Sequence, residues 1–203
     1  MGKVSEMDIH TDLSAAILAG GRSRRMGRDK ALLTLDNHTF MERLIKELSI
    51  CREVFISACK DRDYPEYGLK VVVDENPDIG PIEGIRQALK YAGTEYVFIC
   101  ACDMPFVTGE TVRILAGYVS PQYDAVVFQY EGRIHPLCGI YGKAVLPAAG
   151  QLITEGRYRL TGLLSGVRTK YVDPGAAGFD EKMLKNANTP EEYRGILDAR
   201  SPL

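Results

Sequence analysis

The chain carries almost no excess charge of either sign, because 25 lysine and arginine residues are balanced by 27 acidic residues. The formal net charge of −2 creates no global field that would draw the protein to nucleic acid or to an anionic membrane. We therefore expect neither partner, and any anion-binding site must be local.

Cysteine is also scarce, with five residues in a chain of 203. An odd number of cysteines without a Cys-x-x-Cys pair argues against a disulfide framework and against a zinc site. We expect reduced thiols and a cytoplasmic protein. The five residues are Cys51, Cys59, Cys100, Cys102 and Cys138.

Long apolar runs are absent as well. No run approaches the ~18 residues of a membrane-spanning helix. Met1–Thr11 carries charges throughout and lacks the apolar centre of a signal peptide, so residues 1–11 are predicted to form a flexible tail. The chain is 45% hydrophobic and 26% charged, the balance of a globular protein, and residues 12–203 are predicted to form one domain.

What the sequence does contain is an alternation of short apolar runs and amphipathic stretches. This pattern predicts an α/β fold with a mostly parallel sheet and helices on its faces. Glu131 and Gly132 predict a hairpin turn, which would make part of the sheet antiparallel. Strands are predicted at Ala15–Leu18, Val54–Ala58, Lys70–Val73, Tyr96–Cys100, Ala125–Gln129, Cys138–Tyr141 and Lys170–Val172.

Helix starts are marked by capping residues and prolines. A helix is predicted at Phe40–Ser49, with Thr39 as its cap. A second is predicted at Ile82–Tyr91, where Pro81 suits the first turn. A last helix is predicted to begin with Thr189 as cap, Pro190 in the first turn and Glu192 as the reciprocal acid.

The first strand leads into a loop rich in glycine and arginine, Leu18–Lys30. Its three glycines allow close backbone approaches, and successive N–H groups in such a loop form a concavity for anions. Between positions 22 and 30 there are five cations and one acid, Asp29, a clustering that is self-repelling unless an anion binds. We expect a triphosphate there; a solvated basic loop is the alternative. The loop matches neither a Walker P-loop nor Gly-x-Gly-x-x-Gly.

Acidic residues follow two of the predicted strands. Asp74 ends the third strand and Asp103 follows the fourth, and ligands in α/β folds bind at the carboxyl ends of strands. Mg²⁺ that bridges phosphates takes one or two protein carboxylates, and Asp103 is the better candidate because Pro105 disfavours a helix that it could cap. Between the two acids, Gly80 and Gly84 would let a flat base approach the backbone.

These features together resemble the molybdenum cofactor guanylyltransferases. The resemblance spans nearly all of the chain after residue 11, and the motifs gain specificity from occurring in this order. They are Leu-Ala-Gly-Gly-x-x-x-Arg-Met-Gly-x-Asp-Lys at Leu18–Lys30, Asp74 followed by Gly80–Gly84, Cys-Asp-x-Pro-Phe at Cys102–Phe106, His-Pro-Leu at His135–Leu137, and Asn-x-Asn-Thr-Pro-Glu at Asn186–Glu191.

The resemblance implies a Rossmann-like nucleotidyltransferase fold, GTP and Mg²⁺ as reagents and molybdopterin as acceptor. It implies catalytic roles for Arg25, Lys30 and Asp103, with Asp103 also binding the metal. Ser57 departs from some relatives, which have Asn there. The residues expected to bind GTP are Leu18, Ala19, Gly20, Gly21, Lys30, Ser57, Asp74, Gly80, Pro81, Gly84 and Asp103.

The acceptor side is assigned mainly through the resemblance. His135 would face the acceptor, although a histidine near a strand start is commonly structural. Asn186 and Asn188 would contact the pterin or the metal, or instead cap the last helix. Proteins that supply or receive the cofactor are further expected partners.

The expected chemistry is the transfer of GMP to a phosphate monoester, with release of pyrophosphate. Such a phosphate is largely dianionic at neutral pH, so it needs no general base, and catalysis would rest on charge neutralisation and alignment.

The Gly20-Gly21 pair favours GTP over CTP, since the cytidylyl relatives usually have Ala-Gly. A cytidylyltransferase, a sugar- or alditol-phosphate nucleotidyltransferase and a non-catalytic GTP or cofactor carrier remain alternatives.

Overall fold

A computed structural model describes residues 7–20, 30–60 and 62–198 of the chain. The strands in these ranges are β1 (Leu13–Leu18), β2 (Thr34–Leu35), β3 (His38–Thr39), β4 (Glu53–Ala58), β5 (Val71–Val73), β6 (Tyr96–Ala101), β7 (Ala125–Tyr130), β8 (Arg133–Gly142) and β9 (Thr169–Val172). The α-helices are α1 (Ile9–Asp12), α2 (Phe40–Leu48), α3 (Pro81–Tyr91), α4 (Gly109–Ala116), α5 (Leu146–Thr154), α6 (Leu160–Ser165) and α7 (Pro190–Asp198).

The main sheet has seven strands in the order β5-β4-β1-β6-β8-β7-β9. β1 pairs in parallel with both β4 and β6, and β4 pairs in parallel with β5. β8 is antiparallel to both β6 and β7, whereas β9 runs parallel to β7. The predicted mostly parallel, mixed sheet is confirmed.

Helices cover both faces of this sheet. On one face, Leu44 of α2 and Leu115 of α4 belong to the same buried apolar cluster as Ile17 of β1. On the other, Ile85 of α3 belongs to the same buried apolar cluster as Ala16, the neighbour of Ile17. Successive residues of a strand point to opposite faces, and all six residues of β1 are buried. This explains why β1 is apolar except for the buried Ser14, as expected for a central parallel strand.

The capping predictions are confirmed at two helices. Thr39 and Glu42 bond reciprocally at the start of α2. At α7 the backbone N–H of Glu192 donates to the Thr189 hydroxyl at 3.1 Å, and that of Thr189 donates to the Glu192 carboxylate at 3.2 Å.

The predicted turn between β7 and β8 is present, and β8 is longer than predicted. Glu131 and Gly132 have φ angles of 47° and 75°, the conformation of a two-residue hairpin turn. β8 begins at Arg133 rather than Cys138, because a register shift between Val127 and Phe128 lets residues 136–138 bulge out of the ladder with β7 while the strand continues. Pro136, which has no N–H to donate, lies in this bulge.

The predicted tail is partly described. Ile9–Asp12 form a helical turn, and Met7 and Ile9 pack against the core. The flexible tail at residues 1–11 stays a prediction. Residues 1–6 lie outside the described ranges, and the domain boundary stays a prediction. No helix within residues 7–20, 30–60 and 62–198 is long and apolar enough to cross a membrane.

Candidate active site

The carboxyl ends of β5, β4, β1 and β6 lie side by side along one edge of the sheet. The chain passes from β1 to β4 through α2 and from β5 to β6 through α3, and these helices lie on opposite faces. Such a reversal opens a crevice at the strand ends, where α/β proteins bind ligands. The crevice lies at the ends of β1 and β6.

A cluster around Asp103 occupies the β6 side of this crevice. The Lys30 ammonium donates to the Asp103 carboxylate at 2.7 Å and to the Asn188 side-chain oxygen at 2.6 Å. The Asn186 side-chain N–H group donates to the other Asp103 oxygen at 3.4 Å. The side chains of Lys30 and Asp103 are only 19% and 8% exposed, so solvent screens this charge pair less than one at the surface. Four predicted site residues are therefore brought together.

The C-terminal segment is held in place by its own packing. The backbone N–H of Ala187 donates to the Asp103 carbonyl at 2.9 Å. Farther on, the Tyr193 hydroxyl of α7 donates to the Thr34 carbonyl at 2.7 Å, and its ring meets that of Phe40 edge-on at 5.9 Å. These contacts fix the two asparagines on either side of Ala187. The α7 cap is made by Thr189 and Glu192, so the asparagine side chains are available to the cluster.

A second cluster lies at the ends of β1, β4 and β5. The Cys59 thiol donates to the Gly20 carbonyl at 2.9 Å and lies 3.8 Å from an Asp74 carboxylate oxygen. A Cβ atom at Gly20 would lie 3.3 Å from that same oxygen. The backbone N–H of Ala19 donates to the Ser57 carbonyl at 2.8 Å. Gly20 therefore lets the chain leave β1 in direct contact with Asp74.

Asp74 is a perturbed acid. Burial, and to a smaller extent the nearby charge of Glu83, raise its pKa to about 6, although the Cys59 thiol and the Ser57 hydroxyl act in the opposite direction. In the described part of the chain its buried Oδ1 atom is left without a hydrogen bond. Perturbed, incompletely paired acids are concentrated at functional sites.

The start of α3 forms the surface of the crevice next to Asp74. Three predicted site residues lie there: Gly80, Pro81 and Gly84. Gly80 has a φ of 89°, which favours glycine, and Pro81 is the first residue of α3. A Cβ atom at Gly84 would lie 3.1 Å from the Ser57 hydroxyl and 3.3 Å from a Leu18 methyl group. The missing side chain at Gly84 thus allows α3 to approach the ends of β1 and β4 closely.

Two predicted residues, Gly21 and Arg25, lie outside the described residues. The ends of the segment that contains them are defined: Gly20 lies against Asp74, and Lys30 lies against Asp103.

His135 is placed by topology rather than by contact. β8 is antiparallel to β6, so its first residues lie toward the edge that carries Asp103. The imidazole is half-buried, and burial together with the charge of Arg133 lowers its pKa. Among the described residues it makes no hydrogen bond to Asp103, Asn186 or Asn188. The acceptor role of His135 stays a prediction.

Two neighbours of Asp74 were missed by sequence reasoning. Cys59 follows β4, and only the three-dimensional pairing places it against Gly20. Glu83 is fully buried in the first turn of α3. Its position two residues after Pro81 could have predicted a hydrogen-bonding role, because an acid in the first turn of a helix commonly bonds nearby backbone N–H groups.

Known proteins that are similar to this chain identify its family. The family model described as the MobA-like NTP transferase domain matches residues 15–170. The chain belongs to this family. A probable molybdenum cofactor guanylyltransferase of Clostridium perfringens (strain SM101 / Type A) is 35% identical over 190 residues, which cover 91% of this chain and 96% of that protein. The one from Carboxydothermus hydrogenoformans is 36% identical over 190 residues, with 92% and 95% covered.

Solved structures share the fold of this MobA-like chain. Molybdopterin-guanine dinucleotide biosynthesis protein A from Archaeoglobus fulgidus superposes with a TM-score of 0.78 at 22% identity, covering 92% of this chain and 97% of that one. The 2-C-methyl-D-erythritol 4-phosphate cytidylyltransferase from Thermus thermophilus superposes with a TM-score of 0.67 at 19% identity, covering 93% and 98%. At such identities the likeness shows the fold alone, and this confirms the predicted nucleotidyltransferase architecture.

Proposed function

We propose that the protein transfers GMP from GTP to the terminal phosphate of molybdopterin and releases pyrophosphate. The observation that carries this proposal is the Lys30–Asp103–Asn188 cluster at the strand ends of a MobA-like chain. It gathers a cation for phosphate oxygens, a carboxylate for a metal ion and neutral amides in one crevice. The relatives named above as guanylyltransferases support the choice of base and acceptor.

The reaction joins two polyanions. An oxygen of the acceptor phosphate attacks the α-phosphorus of GTP, the bond from that phosphorus to the bridging oxygen breaks, and pyrophosphate leaves with the electron pair. The attacking phosphate is already largely dianionic near pH 7, so no side chain has to remove a proton. The protein must instead neutralise charge and align the reactants.

Lys30 is suited to the phosphates, because its ammonium lies in the crevice beside the Asp103 carboxylate. Arg25 is proposed as a second phosphate ligand. Leu18, Ala19, Gly20 and Gly21 would contact the guanosine.

Mg²⁺ is proposed as the metal, with Asp103 as its protein ligand. Among the described residues no group of three or more His, Cys, Asp and Glu side chains could hold a metal ion. Mg²⁺ that binds together with a nucleotide typically takes one or two protein carboxylates along with phosphates and water. The carboxylate of Asp103 and the amide oxygens of Asn186 and Asn188 are ligands of the hard type that Mg²⁺ prefers. When bound, Mg²⁺ would neutralise charge that develops on the phosphates.

One experiment separates this proposal from its rivals. The purified protein is incubated with Mg²⁺, each nucleoside triphosphate in turn and one of several acceptors: molybdopterin, a sugar phosphate or an alditol phosphate. Pyrophosphate and product mass are measured. We expect release with GTP and molybdopterin. Release with CTP instead would overturn the base assignment, release with another acceptor would overturn the acceptor, and binding without release would identify a carrier.

A further inference from the structure

Glu83 is a fully buried carboxylate whose hydrogen bonds reach from α3 back into the preceding loop. Its Oε1 atom accepts from the backbone N–H groups of Glu75 at 3.0 Å and Asn76 at 3.1 Å, and from the Gln87 side chain at 2.7 Å. Its Oε2 atom accepts from Nε of Arg86 at 2.9 Å. The carboxylate therefore ties the loop after β5 to the helix that follows it.

Helix capping does not account for these bonds. A glutamate at the third position of a helix ordinarily bonds to the N–H of the capping residue. Gly80 is the capping residue of α3, yet Glu83 bonds to N–H groups in the loop before it. Burial opposes the charged form, but the hydrogen bonds from Arg86, Gln87 and Asn76 hold the pKa of Glu83 at about 2. Glu83 is thus a permanent negative charge.

The tethered loop begins at Asp74, the residue directly before the first anchored N–H group. The backbone N–H of Asp74 donates to the Ala58 carbonyl at 3.1 Å, which fixes one end of this loop to the sheet. Its side chain faces Gly20 and Cys59. Anchoring residues 75 and 76 from behind leaves the Asp74 carboxylate little freedom to turn away from the crevice.

We propose that Glu83 is a positioning residue for nucleotide binding, because it holds the backbone of residues 75–76 and thereby sets Asp74 against Gly20. The inference rests on the proposed function, in which Asp74 contacts the nucleotide. Glu83 itself, buried behind the loop, does not touch the substrate.

Binding of a fluorescent GTP analogue to the full chain, with Mg²⁺ at pH 5 to 8, tests the proposal. Glu83→Gln keeps the side-chain shape but removes the charge that anchors the loop. We expect the dissociation constant at pH 7.5 to rise about tenfold or more, as for a lost charge-assisted hydrogen bond.

The pH dependence of binding is the second readout. The groups that face Asp74 are Glu83 from α3, Ser57 and Cys59 from β4 and its end, and Gly20. Removing the Glu83 charge lowers the pKa of Asp74, so the pH midpoint of binding should move to lower pH.

Glu75→Gln is the matched control. Its side chain is 57% exposed and pairs with the same Arg86, at 2.9 Å, but it does not anchor the loop amides. This variant should bind the analogue as the wild type does.

A lower melting temperature for Glu83→Gln, with the affinity and the pH midpoint unchanged, would show a purely structural role and overturn the proposal. If the wild type bound no GTP analogue, both this inference and the proposed function would fail. Binding by the wild type with no effect of Glu83→Gln would refute the inference alone.

Discussion

The Lys30 ammonium lies 2.7 Å from the Asp103 carboxylate, although 73 positions separate the two residues in the sequence. Each charge is compensated by the other within the fold. The proposed metal–triphosphate complex would give each side chain a new partner. The metal cation would pair with Asp103, and the phosphates would pair with Lys30. In the proposed function, substrate binding is therefore an exchange of ion-pair partners at two side chains that are already mostly removed from solvent.

Replacing Asp103 by Asn should remove the metal ligand while the shape of the side chain is kept. We expect kcat to fall about 100-fold, the usual loss when a group that stabilises transition-state charge is removed, and the Mg²⁺ midpoint to rise. Pyrophosphate release as a function of Mg²⁺ concentration measures both. The control is Asp198→Asn at the exposed end of α7, which should behave as wild type. Near-normal turnover of Asp103→Asn would refute the metal assignment.

Asn188→Ala should weaken GTP binding by releasing Lys30, whose ammonium donates to Asn188 at 2.6 Å. A hydrogen bond to a charged group contributes about 1.5 to 3 kcal/mol, so KM for GTP should rise about tenfold or more. Asn186→Ala should have a smaller effect, because its bond to Asp103 is longer, at 3.4 Å.

A double-mutant cycle tests whether Asn188 acts through Lys30. In a Lys30→Ala background the Asn188→Ala substitution should cost little more, since coupled residues are not additive. Strictly additive losses would show that Asn188 acts independently of Lys30.

The parts of this site that depend on local chemistry were predictable from the sequence, and the parts that depend on tertiary packing were not. The Thr39 and Thr189 caps follow from residues three positions apart. The placement of Asp74 and Asp103 at one edge follows from their positions after apolar strands. The contact of Asn188 with Lys30 spans 158 positions and depends on α7 docking through Tyr193, so no local pattern encodes it. Only the family resemblance pointed to the asparagines.

Asp74 should destabilise the fold at neutral pH. Burial raises its pKa in the folded chain to about 6, above its ordinary value of 3.8. Between these two values the folded state binds more protons than the unfolded state, so this residue makes stability fall as pH rises from about 4 to about 6. Asp74→Asn should therefore stabilise the chain at pH 8 by about 1 kcal/mol, after allowance for solvent screening.

The measurement is urea unfolding of the wild type and Asp74→Asn at pH 8 and pH 4. The gain should disappear at pH 4, where the folded wild type carries a protonated Asp74. The same variant should bind GTP more weakly, because it loses the carboxylate that faces Gly20. Equal gains at both pH values would show that the charge of Asp74 is not the cause.

Gly84→Ala should distort the proposed nucleotide site where α3 packs against the ends of β1 and β4. The new methyl group would lie 3.1 Å from the Ser57 hydroxyl and 3.3 Å from Leu18, and both residues are buried on adjacent strands. Alanine is a better helix former than glycine, so these close contacts decide whether the substitution stabilises or destabilises the fold. We expect a loss of about 1 kcal/mol from overpacking, with a higher KM for GTP because Leu18 is displaced.

Gly150→Ala in α5 is the matched control, since a Cβ atom there would have no neighbour within 4 Å. It should stabilise the chain by roughly 0.5 to 1 kcal/mol and leave KM unchanged. Adding Ser57→Ala to Gly84→Ala removes the closest contact and should recover part of the lost stability, as measured by urea unfolding. If Gly84→Ala were as stabilising as Gly150→Ala, α3 would have room to move away from the strand ends, and the close approach at Gly84 would not be what shapes the site.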